Sequence, residues 1–194
     1  MATNALETVD SQSFGGVSRV TNAKRLWVPP SHISILAVTG TWVNEANSNV
    51  ASLATDDVGG DGELIMIPCP LTASDHISRG SSTVDKGIRI IGLEVFYQVA
   101  VSALTDIDWF LYHTVFSAVG AGTATAITKT DTYDTAGDTG VEIDTHRVEI
   151  LINARDRFFL TSGDVIHAVM DMQDGTASDV NIFGAYWHYE QHFE

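Results

Sequence analysis

The sequence predicts an all-β protein built as an antiparallel two-sheet sandwich, and three observations carry that reading. Apolar and polar residues alternate through residues 147–153, 164–171 and 180–190, the pattern of strands with one buried face. Ser162-Gly163-Asp164 and Asp174-Gly175-Thr176 separate these runs as turns, so the three strands read as a meander closing the domain. No segment carries the apolar period of about 3.6 residues that an amphipathic helix needs.

Taken in order, residues 1–26 are polar and read as an extended arm, with Arg19, Lys24 and Arg25 placed to lie on the acidic surface of a neighbouring subunit. A loosely ordered terminus is the alternative. Pro29-Pro30 stiffens the end of the arm, and the body is expected over residues 27–194. Residues 32–43 are β-branched and partly alternating, hence one strand. Residues 44–62 read as a long polar connection carrying Asp56, Asp57 and Asp61, and residues 63–68 as a short apolar strand stopped by Pro68 and Pro70.

Residues 88–101 and 106–116 read as a hairpin. In the first strand Leu93, Val95, Tyr97 and Val99 share a face, opposite Glu94 and Gln98. The second is apolar on both sides, with Ile107, Trp109, Leu111 and Val115 on one and Phe110, Tyr112 and Phe116 on the other. A strand dressed on both sides needs cover on both, from a second layer or a second subunit. Residues 120–145 are low in hydrophobicity, with one strand near 124–130. About eight strands with long connections favour a jelly roll over an immunoglobulin sandwich, which also lacks its cysteine pair here.

Composition narrows the function. The 194 residues suit one domain, and 44% apolar content with four Trp, five Tyr and eight Phe supports a real core. The apolar runs fall short of the ~20 residues of a membrane span, so no membrane partner is expected. The start lacks the basic and apolar regions of a secretion signal, so synthesis in a cytoplasm is expected, although a mature protein missing its leader would look the same. Cys69 is the only cysteine, which excludes an internal disulfide. Twenty-five acidic residues against ten basic, a formal net charge of −15, argue against nucleic-acid binding, which rests on Lys and Arg at phosphates.

Few constellations carry chemistry. His188, Glu190 and His192 share one face of a strand and read like a metal-ligand set. At about 3.3 Å per residue the outer two Cα atoms stand ~13 Å apart, so one ion cannot take all three without a bend. An ordinary polar strand face is the competing reading. Asp56, Asp57, Asp61, Asp131, Asp134 and Asp138 offer oxygen ligands for calcium in loops, against a reading as solvated acids. His32, His76, His113, His146 and His167 stand singly. The sequence holds no G-x-S-x-G elbow, no phosphate loop and no cupin metal motif, so no catalytic residue and no enzyme activity are expected.

Across residues 91–97, 108–112, 146–152 and 182–187, the chain resembles small jelly-roll structural proteins of tailed phages and environmental viruses, of the capsid, capsid-decoration and fibre-head kind. The resemblance spans about residues 85–193 and is one of pattern. It implies a self-assembling particle subunit, typically a trimer, located in a virion beside other particle proteins. No site residue is transferred by it. The aromatic surplus points to a subunit interface at Trp109, Phe110, Tyr112, Phe183, Tyr186 and Trp187. A cupin-like, carbohydrate-binding or metal-binding module remains the alternative.

Overall fold

The computed structural model describes residues 10–14, 17–37, 41–47, 50–55, 63–72, 87–100, 102–116, 122–130, 146–173 and 179–193. Among them are thirteen strands: β1 (Asp10–Phe14), β2 (Val17–Val28), β3 (Ser34–Ala37), β4 (Trp42–Asn47), β5 (Val50–Thr55), β6 (Glu63–Pro68), β7 (Gly87–Ala100), β8 (Asp106–Val115), β9 (Thr123–Ala126), β10 (Lys129–Thr130), β11 (His146–Ile152), β12 (Asp164–Gln173) and β13 (Asp179–Phe193). They form two antiparallel sheets, as the alternation predicted. The larger has eight strands along β1-β2-β13-β7-β11-β10, with β4 and β5 joined at one end of β13; the smaller has five, ordered β3-β6-β12-β8-β9.

Four of the pairings are nested. β2 lies beside β13, β6 beside β12, β7 beside β11 and β8 beside β9, so early strands pair with late ones and the middle of the chain folds on itself. This corrects the expected local pairings. β11, β12 and β13 are not a meander, because β12 sits in the small sheet and its sequence neighbours sit in the large one. β7 and β8 are not a hairpin either: the chain changes sheet between Ala100 and Asp106. Alternation reports that a strand has one buried face, and a two-sheet core satisfies that burial without pairing neighbours in sequence.

Two further expectations change. The described part of the expected arm is sheet: β1 pairs with β2, and β2 runs antiparallel to β13 from Val20 opposite Phe193 to Val28 opposite Ala185. Leu26 and Val28 point inward, which ties this stretch to the core. The single strand expected over residues 32–43 is a short 3-10 turn at Pro30–His32, then β3 in the small sheet and β4 in the large one.

The core lies between the sheets. β7 contributes Ile88, Ile90, Leu93, Val95, Tyr97 and Val99; β8 and β12 answer with Ile107, Trp109, Leu111, Ile166, Ala168, Met170 and Met172. Each large apolar side chain buried there stabilises the fold by roughly 1.5–3 kcal/mol. Polar bonds also cross the gap. Trp187 Nε1 donates to the Pro68 carbonyl at 2.9 Å, and Trp42 Nε1 donates to the carboxylate of the fully buried Glu63. Both fix one sheet against the other while satisfying groups that would be costly to bury alone.

Candidate functional site

The outward side of the large sheet carries a polar and aromatic cluster spanning four strands. β7 places Glu94 outward, yet its side chain is only 1% exposed, because Arg147 from β11, Arg25 from β2 and His188 from β13 close over it. Arg147 Nε donates to Oε1, His188 Nε2 lies 3.2 Å from Oε2 and Arg25 Nη1 lies 3.7 Å from the same oxygen. The register makes this possible: Arg25 stands opposite His188, Tyr186 opposite Glu94, and Phe96 opposite Arg147. Beside it Trp27, Tyr186 and Phe96 form a ring cluster with centroids 4.7, 6.0 and 6.2 Å apart, and Arg25 lies over the Tyr186 ring at 5.1 Å. Arg25 is 41% exposed, Arg147 63% and Trp27 40%, and Glu149, opposite Glu94, is exposed beside them.

The outward side of the small sheet is different in kind. Phe110 stacks with Tyr112 at 6.4 Å and Tyr112 with His167 at 5.3 Å, and Phe110 and Val165 remain 38% and 44% exposed. Burial holds the His167 imidazole below the usual histidine range, so it is neutral at pH 7. At one end of this band Asp108 lies directly opposite Asp171, and Asp106 lies opposite Gln173. Burial, then the charges of Asp108 and Asp106, push Asp171 above the ordinary carboxylate range. The Asp171 Oδ1 atom is buried with no hydrogen-bond partner among the described residues. Within their described residues the five small-sheet strands contain Glu63, Asp106, Asp108, Asp164 and Asp171 but no lysine or arginine.

A pocket of ≈ 200 Å³ opens beside β8 and β9, lined by His113, Thr125, Ile127, Thr128, Asp156 and Phe158. His113 stacks on Phe158 at 4.4 Å, and its Nε2 lies 3.0 Å from Asp164 Oδ1. Burial opposes ionisation of Asp164, but hydrogen bonds from the Thr161 N–H and hydroxyl and from His113 outweigh it, so its carboxyl sits below the ordinary range. This carboxylate closes the Thr161–Asp164 turn that starts β12, where Gly163 takes a φ of +93°. The pair is a brace for that turn, and it orients one imidazole on the pocket wall.

The sequence-predicted site residues divide accordingly. Trp109 and Trp187 are corrected: they are 1% and 0% exposed inside their own sandwich, so they have no area left to bury between subunits. Phe110, Tyr112, Phe183 and Tyr186 keep exposed area. Within the same sheet Lys24 donates to Gln191, and Arg25 lies 3.7 Å from Glu94 while staying 41% exposed, so Arg25 keeps surface for the neighbour it was expected to reach. Arg19 lies in β2 opposite Gln12, with its side chain outside the described set. Of the metal trio, His188 turns to Glu94 and Glu190 is ion-paired with Arg89, so these two are drawn to different partners; the His192 side chain lies outside the described residues. Asp56, Asp57, Asp61, Asp131, Asp134 and Asp138 also lie outside them. Sequence reading missed the Glu94 cluster. A lone acid in an apolar strand was the available signal, but finding its partners required the register of four strands.

Fold and surface together define a two-layer antiparallel β-sandwich with an aromatic patch on each outer face, arginine-bearing on one and acidic on the other. No family model matches the chain, and no curated protein matches it in sequence.

Proposed function

We propose that this protein is a non-enzymatic structural subunit that assembles with copies of itself into a virus or virus-like particle, as a capsid or capsid-decoration protein. The observation that carries the reading is the apolar band of Phe110, Tyr112, Val165 and His167 on the outer side of the small sheet. Partly exposed aromatic and apolar groups, contiguous on one rigid sheet, are what a subunit contact buries. The nested strand pairing supports a jelly roll, in which a long hairpin is wound so that its outermost strands meet. Its pattern-level resemblance to phage and viral structural proteins supports the particle role. The chemistry on the surface supports binding over catalysis, since the buried carboxylates Glu94 and Asp164 are occupied in bracing strands and turns.

Sedimentation at micromolar concentration tests the self-assembly, with negative-stain microscopy reading higher order. A trimer or larger species supports the proposal, and a stable monomer of 20.9 kDa overturns it.

A further inference from the structure

We infer that copies of the chain associate face to back, with the outer side of the large sheet of one copy docked on the outer side of the small sheet of the next. Arg25 and Arg147 of one copy then meet Asp106, Asp108 and Asp171 of its neighbour, and Trp27 and Tyr186 meet the Phe110, Tyr112 and His167 band. This rests on the self-assembly proposed above and specifies its geometry.

Charge selects this pairing over the alternatives. The small-sheet face presents Asp106, Asp108 and Asp171 without a lysine or arginine in its described strands. Docked on a second small-sheet face, it would set carboxylates against carboxylates. Like charges directly opposite already oppose each other within one copy, at Asp108 and Asp171. Burial first, and then the charges of Asp108 and Asp106, raise the proton affinity of the Asp171 carboxyl. A guanidinium docked over Asp106 and Asp108 relieves this crowding, because it offers five N–H donors and a permanent positive charge.

The large-sheet face has guanidiniums to offer. Glu94, Glu149 and Glu190 equal Arg25, Arg89 and Arg147 in number: Glu190 is paired with Arg89 and Glu149 is exposed opposite Glu94, so the arginines available to a neighbour are Arg25 and Arg147. Glu94 is buried beneath Arg25 and Arg147, whose outer edges stay in solvent. Arg25, at 3.7 Å from Glu94, spends little of its donor capacity there. Aromatic rings flank the charges on both faces, which suits the desolvated centre of an interface. Because the two surfaces differ, the contact is heterologous: it closes into a ring, three copies being the number expected above, or continues as a filament.

The test uses two blocked variants of the full chain. Phe110→Glu spoils the small-sheet face and leaves the large one intact; Arg147→Glu does the reverse, and Trp27→Glu serves as a second large-face block should Arg147→Glu unfold. Circular dichroism verifies folding, and sedimentation reads mass. Each variant alone should be monomeric, with self-association weakened at least tenfold. An equimolar mixture should form a species of two chains and nothing larger, because one intact interface can form per pair. If either folded variant assembles like the wild type, or the mixture stays monomeric or grows beyond two chains while the wild type assembles, the face-to-back contact is overturned and self-assembly stands. A monomeric wild type removes both.

Discussion

Trp27 and Tyr186 face each other across β2 and β13 with ring centroids 4.7 Å apart, and the indole lies over a residue with no side chain, Gly184. Gly184 holds a φ of +130° at a bulge in β13, and a Cβ there would come within 2.5 Å of the Trp27 ring and 2.7 Å of the Val28 carbonyl oxygen. Gly184→Ala therefore adds backbone strain to a clash that Val28, as backbone, cannot relieve. A loss of about 2–4 kcal/mol is expected. Urea unfolding followed by tryptophan fluorescence checks it, and an unchanged midpoint would show that the bulge relaxes freely.

Glu94 holds strands of the large sheet together from outside the core. Glu94→Gln removes the charge that Arg25 and Arg147 share, and an amide cannot replace a carboxylate at two guanidiniums. Breaking a buried ion pair costs ~3–5 kcal/mol, and the solvent reach of both arginines lowers the expectation to about 2 kcal/mol. A double-mutant cycle with Arg147→Gln should return a coupling above about 1 kcal/mol, whereas additive losses would show that the contact is incidental.

Acid titration should expose Asp171. Its folded proton affinity is raised by burial and by Asp108 and Asp106, so it favours the folded state most below the ordinary carboxylate range, and this contribution is lost as pH rises through the folded value. At neutral pH the ionised group is a net cost. In the unassembled chain, kept so by Trp27→Glu, Asp171→Asn should thus raise the melting temperature at pH 7 and lose that advantage near pH 3. Thermal melts of both proteins across that range decide it; a variant less stable at pH 7 would overturn the assignment.

Chain truncation separates β1 from β2. A chain beginning at Val17 keeps the β2–β13 ladder and should melt within a few degrees of the full chain. One beginning at Trp27 loses Leu26 from the core margin, Arg25 from Glu94 and most of the cover along one edge of β13. Its melting temperature should fall by at least ~10 °C, since each kcal/mol shifts a chain of this size by roughly 2–4 °C. Equal melting of the two truncations would mean that β2 contributes little.

The alternation of residues 164–171 and 180–190 made the strands and their buried faces legible, because side-chain direction in a strand is a local property. The inward set Leu93, Val95, Tyr97 and Val99 is as the sequence implies. Partnership is not local. Nothing in residues 106–116 says that Trp109 packs against Tyr97 from the opposite layer, at 6.2 Å, while Phe110 faces outward. Trp109 and Trp187 looked like interface residues because aromatic surplus was counted over a single sheet, and the second layer consumed part of it. β4 and β5 were missed because Asn44, Glu45 and Ser52 give that stretch the polarity of a connection.

The nested order of pairing also governs how the chain comes to be folded. Val20 meets Phe193, so β2 waits for a partner strand far downstream in the chain. Contacts so distant in sequence form slowly, because loop closure must precede the burial that rewards it. During that wait β2 and β7 each lack the neighbour that separates them, and their open edges are sticky toward other nascent chains. The sandwich should therefore complete only once β13 has emerged, with amides along β2 and β13 among the last protected in pulsed hydrogen exchange. On crowded polysomes, the yield of native protein will be set by how well this waiting period is guarded.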